Sequence, residues 1–173
     1  MHKKIIGVFG AGNVTDADEE FHLAEEVGRL LAQRGFVVLT GGLGGVMTAA
    51  SKGARGAGGI TVGILPGNGR TSPANAYIDL AIYTGMGEAR NVINVKSCDA
   101  AIAIGGEYGT LSEIALALKV GCPIILLNSW SVAPHGRKER HDWHIAATPE
   151  TAVVKAVEEA EKRDGAQLYS DQP

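Results

Sequence analysis

Short apolar runs that end in glycine, each followed by a helix-patterned stretch, limit the folds open to this chain more than any other feature. Lys4 to Phe9 leads into Gly10-Ala11-Gly12, Phe36 to Thr40 into Gly41-Gly42, and Ile60 to Leu65 into Pro66-Gly67. Ile78 to Thr84, Ala100 to Ile104 and Pro123 to Leu127 follow. Runs this short and this continuous suit strands buried on both faces, as in a parallel sheet. Between them, Thr15 or Asp16 caps a helix to Gln33 whose Phe21, Ala24, Val27, Leu30 and Leu31 share one face, with Gly35 as the stop. Further helices are expected over Val46 to Ala57, Met86 to Ser97 and Thr110 to Val120. A last one starts at the Thr148-Pro149 cap and runs to about Lys162. The alternation predicts an α/β domain over residues 1–165, a Rossmann-like, doubly wound parallel sheet of about six or seven strands with flanking helices. Residues 166–173 read as a flexible tail. Ser129 to Ala147 interrupts the pattern with polar residues, Trp130, Trp143 and three histidines, and reads as an exposed loop or flap.

Composition narrows the function. The chain's 173 residues suit a single domain. Its 24 glycines are about twice the usual share, without a collagen period. A net charge of −3 gives no positive field for nucleic acid, so no nucleic-acid partner is expected. No apolar stretch reaches the roughly 18 residues of a membrane span. Met1 to Lys4 runs directly into Ile5-Ile6-Gly7, too short an apolar run for a signal peptide. Cys98 and Cys122 sit in apolar surroundings as small thiols of a reducing compartment, so the expected location is the cytoplasm.

Sheets of this kind bind ligands outside the carboxyl ends of their strands, where the glycine clusters fall. The dinucleotide fingerprint is incomplete: Gly10 and Gly12 are present, but Thr15 takes the third glycine place and no acid ends the second strand. No ATP-type phosphate loop exists. A phosphate or ligand site that joins Gly10, Gly12, Arg90 and Asn91 to Gly41, Gly42, Gly44 and Gly45 before one helix and Gly105, Gly106, Gly109 and Thr110 before another has a physical basis. Glycine allows close backbone approach, and free N–H groups at a helix start favour an anion. The other reading is that these glycines only turn strands into helices. Glu113 has two readings as well: a carboxylate directed into the cleft, or the end of a Thr110-Leu111-Ser112-Glu113 capping box. Arg90, followed by Asn91, is either a solvated helix residue or a clamp for phosphate or for Glu113. If both enter one pocket, Arg90 and Glu113 form a catalytic pair for ribose chemistry, the arginine holding phosphate and the carboxylate a cationic centre or water. His135, His141, His144 and Asp142 are too loosely spaced for a metal site, and no metal ligand set is expected. Ser72, Ser129 and Ser131 lack a nucleophile elbow.

These same residues carry a family resemblance. Thr40-Gly41-Gly42 through Gly45-Val46-Met47, Gly63 to Gly67, Ala89-Arg90-Asn91 and Gly105-Gly106-x-x-Gly109-Thr110-x-x-Glu113 resemble the LOG-type Rossmann-like superfamily, from about Ile5 to Leu127. That group holds the LOG phosphoribohydrolases, proteins often mislabelled lysine decarboxylases, and the molybdenum cofactor carriers. The run Gly109 to Lys119 is most similar to the carriers. Where LOG enzymes have P-G-G-x-G-T-x-x-E, Ile104 takes the proline place and Glu107 and Tyr108 separate Gly106 from Gly109; where their arginine precedes lysine, Asn91 follows Arg90. The resemblance implies binding of a small phosphorylated ligand, a nucleoside monophosphate or the molybdenum cofactor, with no further cofactor required. It also implies a homodimer or homotetramer, and alternatively hydrolysis of a nucleoside 5′-monophosphate by Arg90 and Glu113. Nothing resembles a pyridoxal-phosphate lysine site.

Overall fold

The computed structural model describes residues 3–69, 73–131 and 143–170. The elements run β1 (Ile5–Gly10), α1 (Glu19–Gln33), β2 (Val37–Thr40), α2 (Val46–Gly56), β3 (Thr61–Leu65), β4 (Leu80–Tyr83), a 3-10 turn (Gly87–Arg90), α3 (Asn91–Lys96), β5 (Ala100–Ile104), α4 (Tyr108–Val120), β6 (Ile124–Leu127), β7 (Trp143–Ala146) and α5 (Pro149–Ser170). Seven parallel strands form one sheet in the order β4-β3-β2-β1-β5-β6-β7. This is the expected α/β Rossmann-like fold.

Strand alternation sends side chains to opposite faces, and each face has its own core. Ile6, Val8, Ile102 and Ile104 meet α1, α2 and α5 on one side; Phe9, Ala101 and Ala103 meet Val95 of α3 and Ile114 and Ala117 of α4 on the other. Residues with both neighbours and both faces covered must be apolar throughout, so β5 reads Ala-Ala-Ile-Ala-Ile and is buried at every position. Gly35 ends α1 as expected, at φ 82° with its N–H donating to Ala32 O. At α5, the Thr148 hydroxyl accepts the Thr151 N–H at 3.3 Å ahead of Pro149.

Four expectations need correction. The Ser129–Ala147 loop contains a strand: β7 pairs with β6, Trp143 reaching one core and Ala146 the other. An edge strand needs only one sheet neighbour, so its apolar signal is too short to stand out from polar flanks. The β4 edge is exposed at all four positions rather than buried. The Met86–Ser97 helix is divided, because Gly87 at φ 55° opens a 3-10 turn before α3 begins. At the start of α1 the cap is Asp18, which the Thr15 N–H and hydroxyl hold through Oδ2.

Helices α1 and α2 touch backbone to backbone. A Cβ on Gly53 would overlap the Glu25 carbonyl, and one on Gly28 the Ala50 carbonyl. Overpacking costs about 1–3 kcal/mol. Two backbones must separate here, so Gly53→Ala is expected to lose the upper end of that range, well above the roughly 1 kcal/mol gained by replacing a helical glycine. A urea unfolding midpoint that stays in place or rises in Gly53→Ala would contradict this packing.

Candidate functional site

The chain winds outward from β1 to β4 and then returns to place β5 beside β1, so the loops after these two strands leave a crevice at their carboxyl ends. A cavity of about 310 Å³ lies there. Gly10 and Gly12 from the β1 loop, Gly41, Arg90, Asn91, and Gly109, Thr110 and Glu113 from α4 all line it. Glycines that follow β1, β2 and β5 therefore converge on one hollow.

The remaining glycines serve packing. Gly45, at φ 61°, caps α2 where a Cβ would overlap the Ala11 carbonyl, and that carbonyl accepts the Val46 N–H at 3.0 Å. A Cβ on Gly44 would press on the Gly12 carbonyl at 2.8 Å, so the start of α2 is docked onto the β1 loop instead of opening to the cavity. Gly42 lies against Leu65, its N–H donating to Thr40 Oγ1 at 3.1 Å. Gly105 backs onto Glu20, with its carbonyl bonded to Ser129 Oγ at 2.6 Å, and Gly106 backs onto Thr110.

Those turns begin α4 at Tyr108, with Glu107 in the cap position and the Leu111 N–H on the Glu107 carbonyl. The Thr110–Glu113 capping box accordingly does not form. Thr110 already lies inside the helix, and Glu113 lies one turn deeper, where its carboxylate meets α3. Asn94 Nδ2 donates to Glu113 Oε1 at 2.9 Å, and both residues are buried. Burial pushes the Glu113 carboxyl up to about 7, against the opposing pull of the Asn94 bond and the Arg90 charge.

Arg90 leaves the 3-10 turn and lies against Gly41, where a Cβ would collide with Nη1. Only 5% of it is exposed, and Nε and Nη1 have no hydrogen-bond acceptor. Burial lowers its pKa while the nearby Glu113 and Glu88 raise it. A buried guanidinium with two unmet donors beside a hollow is a prepared place for an anion. Asn91, which lines the cavity, gives its Nδ2 to Ser112 Oγ at 2.9 Å.

Several site residues escaped sequence reasoning. Glu88 and Glu107 line the cavity with Phe9, Leu43 and Met47, and Asn13 Nδ2 holds Glu107 Oε1 at 2.8 Å. Glu88 precedes Arg90 by two residues and Asn94 follows it by four, but neither spacing is a signal without knowing that a 3-10 turn meets a helix there. Among the described residues no group of three or more His, Cys, Asp or Glu is placed to hold a metal, and no helix is long and apolar enough to cross a membrane. His144 pairs with Glu159 at 3.4 Å; His135, His141, Asp142 and Ser72 lie outside the described residues.

Because the folded Glu113 pKa lies above its unfolded value of 4.5, the folded state holds the extra proton between these two pH values. The Glu113 contribution to stability is fully present below about pH 4.5 and is lost as pH rises through 7, about 3 kcal/mol at roughly 1.4 kcal/mol per unit. Glu113→Gln is expected to remove most of this fall. Urea unfolding at acid and alkaline pH, with the same slope in variant and wild type, would refute it.

Comparisons with known proteins agree with this architecture. The molybdenum cofactor binding protein of Rippkaea orientalis is 40% identical with a TM-score of 0.76, covering 91% of this chain and 98% of its own. The Moco carrier protein of Chlamydomonas reinhardtii is 38% identical with a TM-score of 0.78, over 94% of this chain and 99% of its own. The cytokinin riboside 5′-monophosphate phosphoribohydrolase of Mycobacterium tuberculosis is 33% identical over 135 residues, 72% of this chain and 71% of that one. These relatives bear out the LOG-type resemblance. The SLOG cluster4 family model matches residues 3–159, which hold all seven strands of the sheet and the cavity residues, and the chain belongs to that family.

Proposed function

We propose that the protein binds a phosphorylated pterin- or nucleotide-like ligand and acts as a carrier for it, molybdenum cofactor and nucleoside monophosphates being the candidate cargoes. The observation that carries this reading is Arg90, buried at the cavity with Nε and Nη1 unpaired. A phosphate supplies acceptors for both donors, and the first N–H groups of α4 with the Thr110 hydroxyl supply further donors from the other wall. The cavity volume of about 310 Å³ is at the small end of the usual ligand range. Similarity to two proteins named for molybdenum cofactor binding and carriage supports the same reading. Assembly into a homodimer or homotetramer, and residence in the cytoplasm, belong to the proposal.

Glu113 favours a second reading, hydrolysis of a nucleoside 5′-monophosphate at its N-glycosidic bond. Its carboxyl, held near 7 at the cavity wall, is suited to steady a ribosyl cation or direct water while Arg90 keeps the phosphate in place. The C1′–N bond breaks, water adds at C1′, and the departing base takes a proton. Two experiments separate the readings. Isothermal titration with AMP, GMP and molybdenum cofactor is expected to give binding that Arg90→Ala weakens at least about tenfold. Failure of every phosphorylated ligand to bind the wild type would defeat both readings. Base release from AMP or isopentenyl-AMP by the wild type, absent in Glu113→Ala, would establish the hydrolase; equal, negligible release from both leaves the carrier.

A further inference from the structure

The polar groups buried around the cavity do not balance. Arg90 keeps two donors without acceptors, and Asn94, wholly buried on α3, keeps Oδ1 without a donor while its Nδ2 is bonded to Glu113. Buried amides normally satisfy both ends, so the free Oδ1 calls for an explanation.

We propose that Asn94 is the positioning residue for Glu113, and that the pair lets the cavity take up its anion together with one proton. This rests on the anion-binding reading of Arg90. A side-chain amide carries both a donor and an acceptor and so can serve both states of a carboxyl. With Glu113 ionised, Asn94 Nδ2 donates to Oε1, the arrangement seen. With Glu113 protonated, a half-turn of the amide brings Oδ1 round to accept the carboxyl O–H, and the missing donor is supplied.

The charges at the cavity make the two states unequal. Arg90 and Glu88, both from the Gly87–Arg90 turn, act on Glu113, and α3 contributes the neutral Asn94. Glu107 lines the same cavity from the start of α4, while the β1 and Gly41 walls bring uncharged Phe9, Gly10 and Met47. An ionised Glu113 cancels much of the Arg90 field and, with Glu88 and Glu107, repels an incoming anion. A protonated Glu113 leaves the guanidinium as the one charge in the buried part, with Nε and Nη1 free. One proton passes from solvent to a Glu113 oxygen as the anion docks, and no covalent bond of the ligand changes. Burial places this exchange near neutral pH.

Inorganic sulfate tests it, because sulfate keeps its double charge from about pH 5.5 to about pH 8.5 while a carboxyl held near 7 titrates. Calorimetry of the whole chain in two buffers of different ionisation enthalpy reads affinity and proton uptake together. Affinity is expected to be level at acid pH and to fall about tenfold per pH unit above about 7, with uptake approaching one proton. Glu113→Gln is expected to give a flat profile. Asn94→Leu keeps the volume but removes a charge-assisted bond to the ionised form that outweighs the neutral bond to the protonated form, so the break moves to higher pH. A pH-independent wild-type affinity, or a break that Asn94→Leu leaves in place, overturns the proposal. If Asn94→Leu does not fold, Glu113→Gln decides, and a variant profile as steep as the wild type's overturns it. Sulfate binding without proton linkage defeats this inference alone, whereas absence of sulfate binding at acid pH removes the anion site beneath it as well.

Discussion

The parallel pairing of β1 with β5, Ile6 opposite Ala100 through Gly10 opposite Ile104, is the constraint on which the rest of the structure depends. These two strands are adjacent in space yet separated in sequence by three other strands, so the chain must leave β1 toward one side of the sheet and β5 toward the other. Their following loops diverge, α1 onto one face and α4 onto the opposite one. The gap between diverging loops cannot be filled by either helix, and it becomes the cavity. A register slip of one residue would exchange the faces of every side chain on the slipped strand and lose both cores together.

The site depends on that double core for its stability. Arg90 and Glu113 line one cavity and are both buried, Arg90 Nε and Nη1 and the neighbouring Asn94 Oδ1 have no partner, and an unmet buried donor or acceptor costs about 1–3 kcal/mol. Full burial of one large aliphatic side chain contributes about 1.5–3 kcal/mol. Ile6, Leu31, Leu39, Ile102, Ile104, Ile114 and Ile125, all essentially inaccessible, therefore offset a few such defects. The defects lie at the carboxyl ends of the strands, away from the packed middle of the sheet. Stability and readiness for a ligand thus occupy different parts of one fold.

The sheet was legible from sequence because a strand buried on both faces is apolar at nearly every position, the buried Thr40 and Thr61 being hydrogen-bonded exceptions. β1, β2, β3, β5 and β6 appear as nearly continuous apolar runs for this reason. The edges were harder to read. Trp143–Ala146 is half-exposed on one side and flanked by polar residues, and Leu80–Tyr83 is exposed throughout although its composition looks internal. Glycine clusters marked the correct strand ends, yet composition does not separate Gly41, against which Arg90 lies, from Gly45, which only admits the Ala11 carbonyl. Both glycines are required by a close approach; what approaches depends on distant chain.

Arg90 and Glu113 stood out in the sequence by their place in glycine-flanked motifs, each with a structural reading beside the functional one. Their chemistry did not stand out. Whether Glu113 caps a helix or enters a cavity depends on α4 beginning at Tyr108, and the turn through Gly105 and Gly106 sets that start. Asn94 and Glu88 gain their meaning from a 3-10 turn meeting α3 beside α4. Local pattern determined the alternating fold and the strand ends at which a ligand site lies, since burial and backbone conformation impose residue types directly. Tertiary structure alone decided which polar atoms are left without partners and which carboxyl holds its proton, because desolvation and fields come from whatever elements the fold brings together across the sheet.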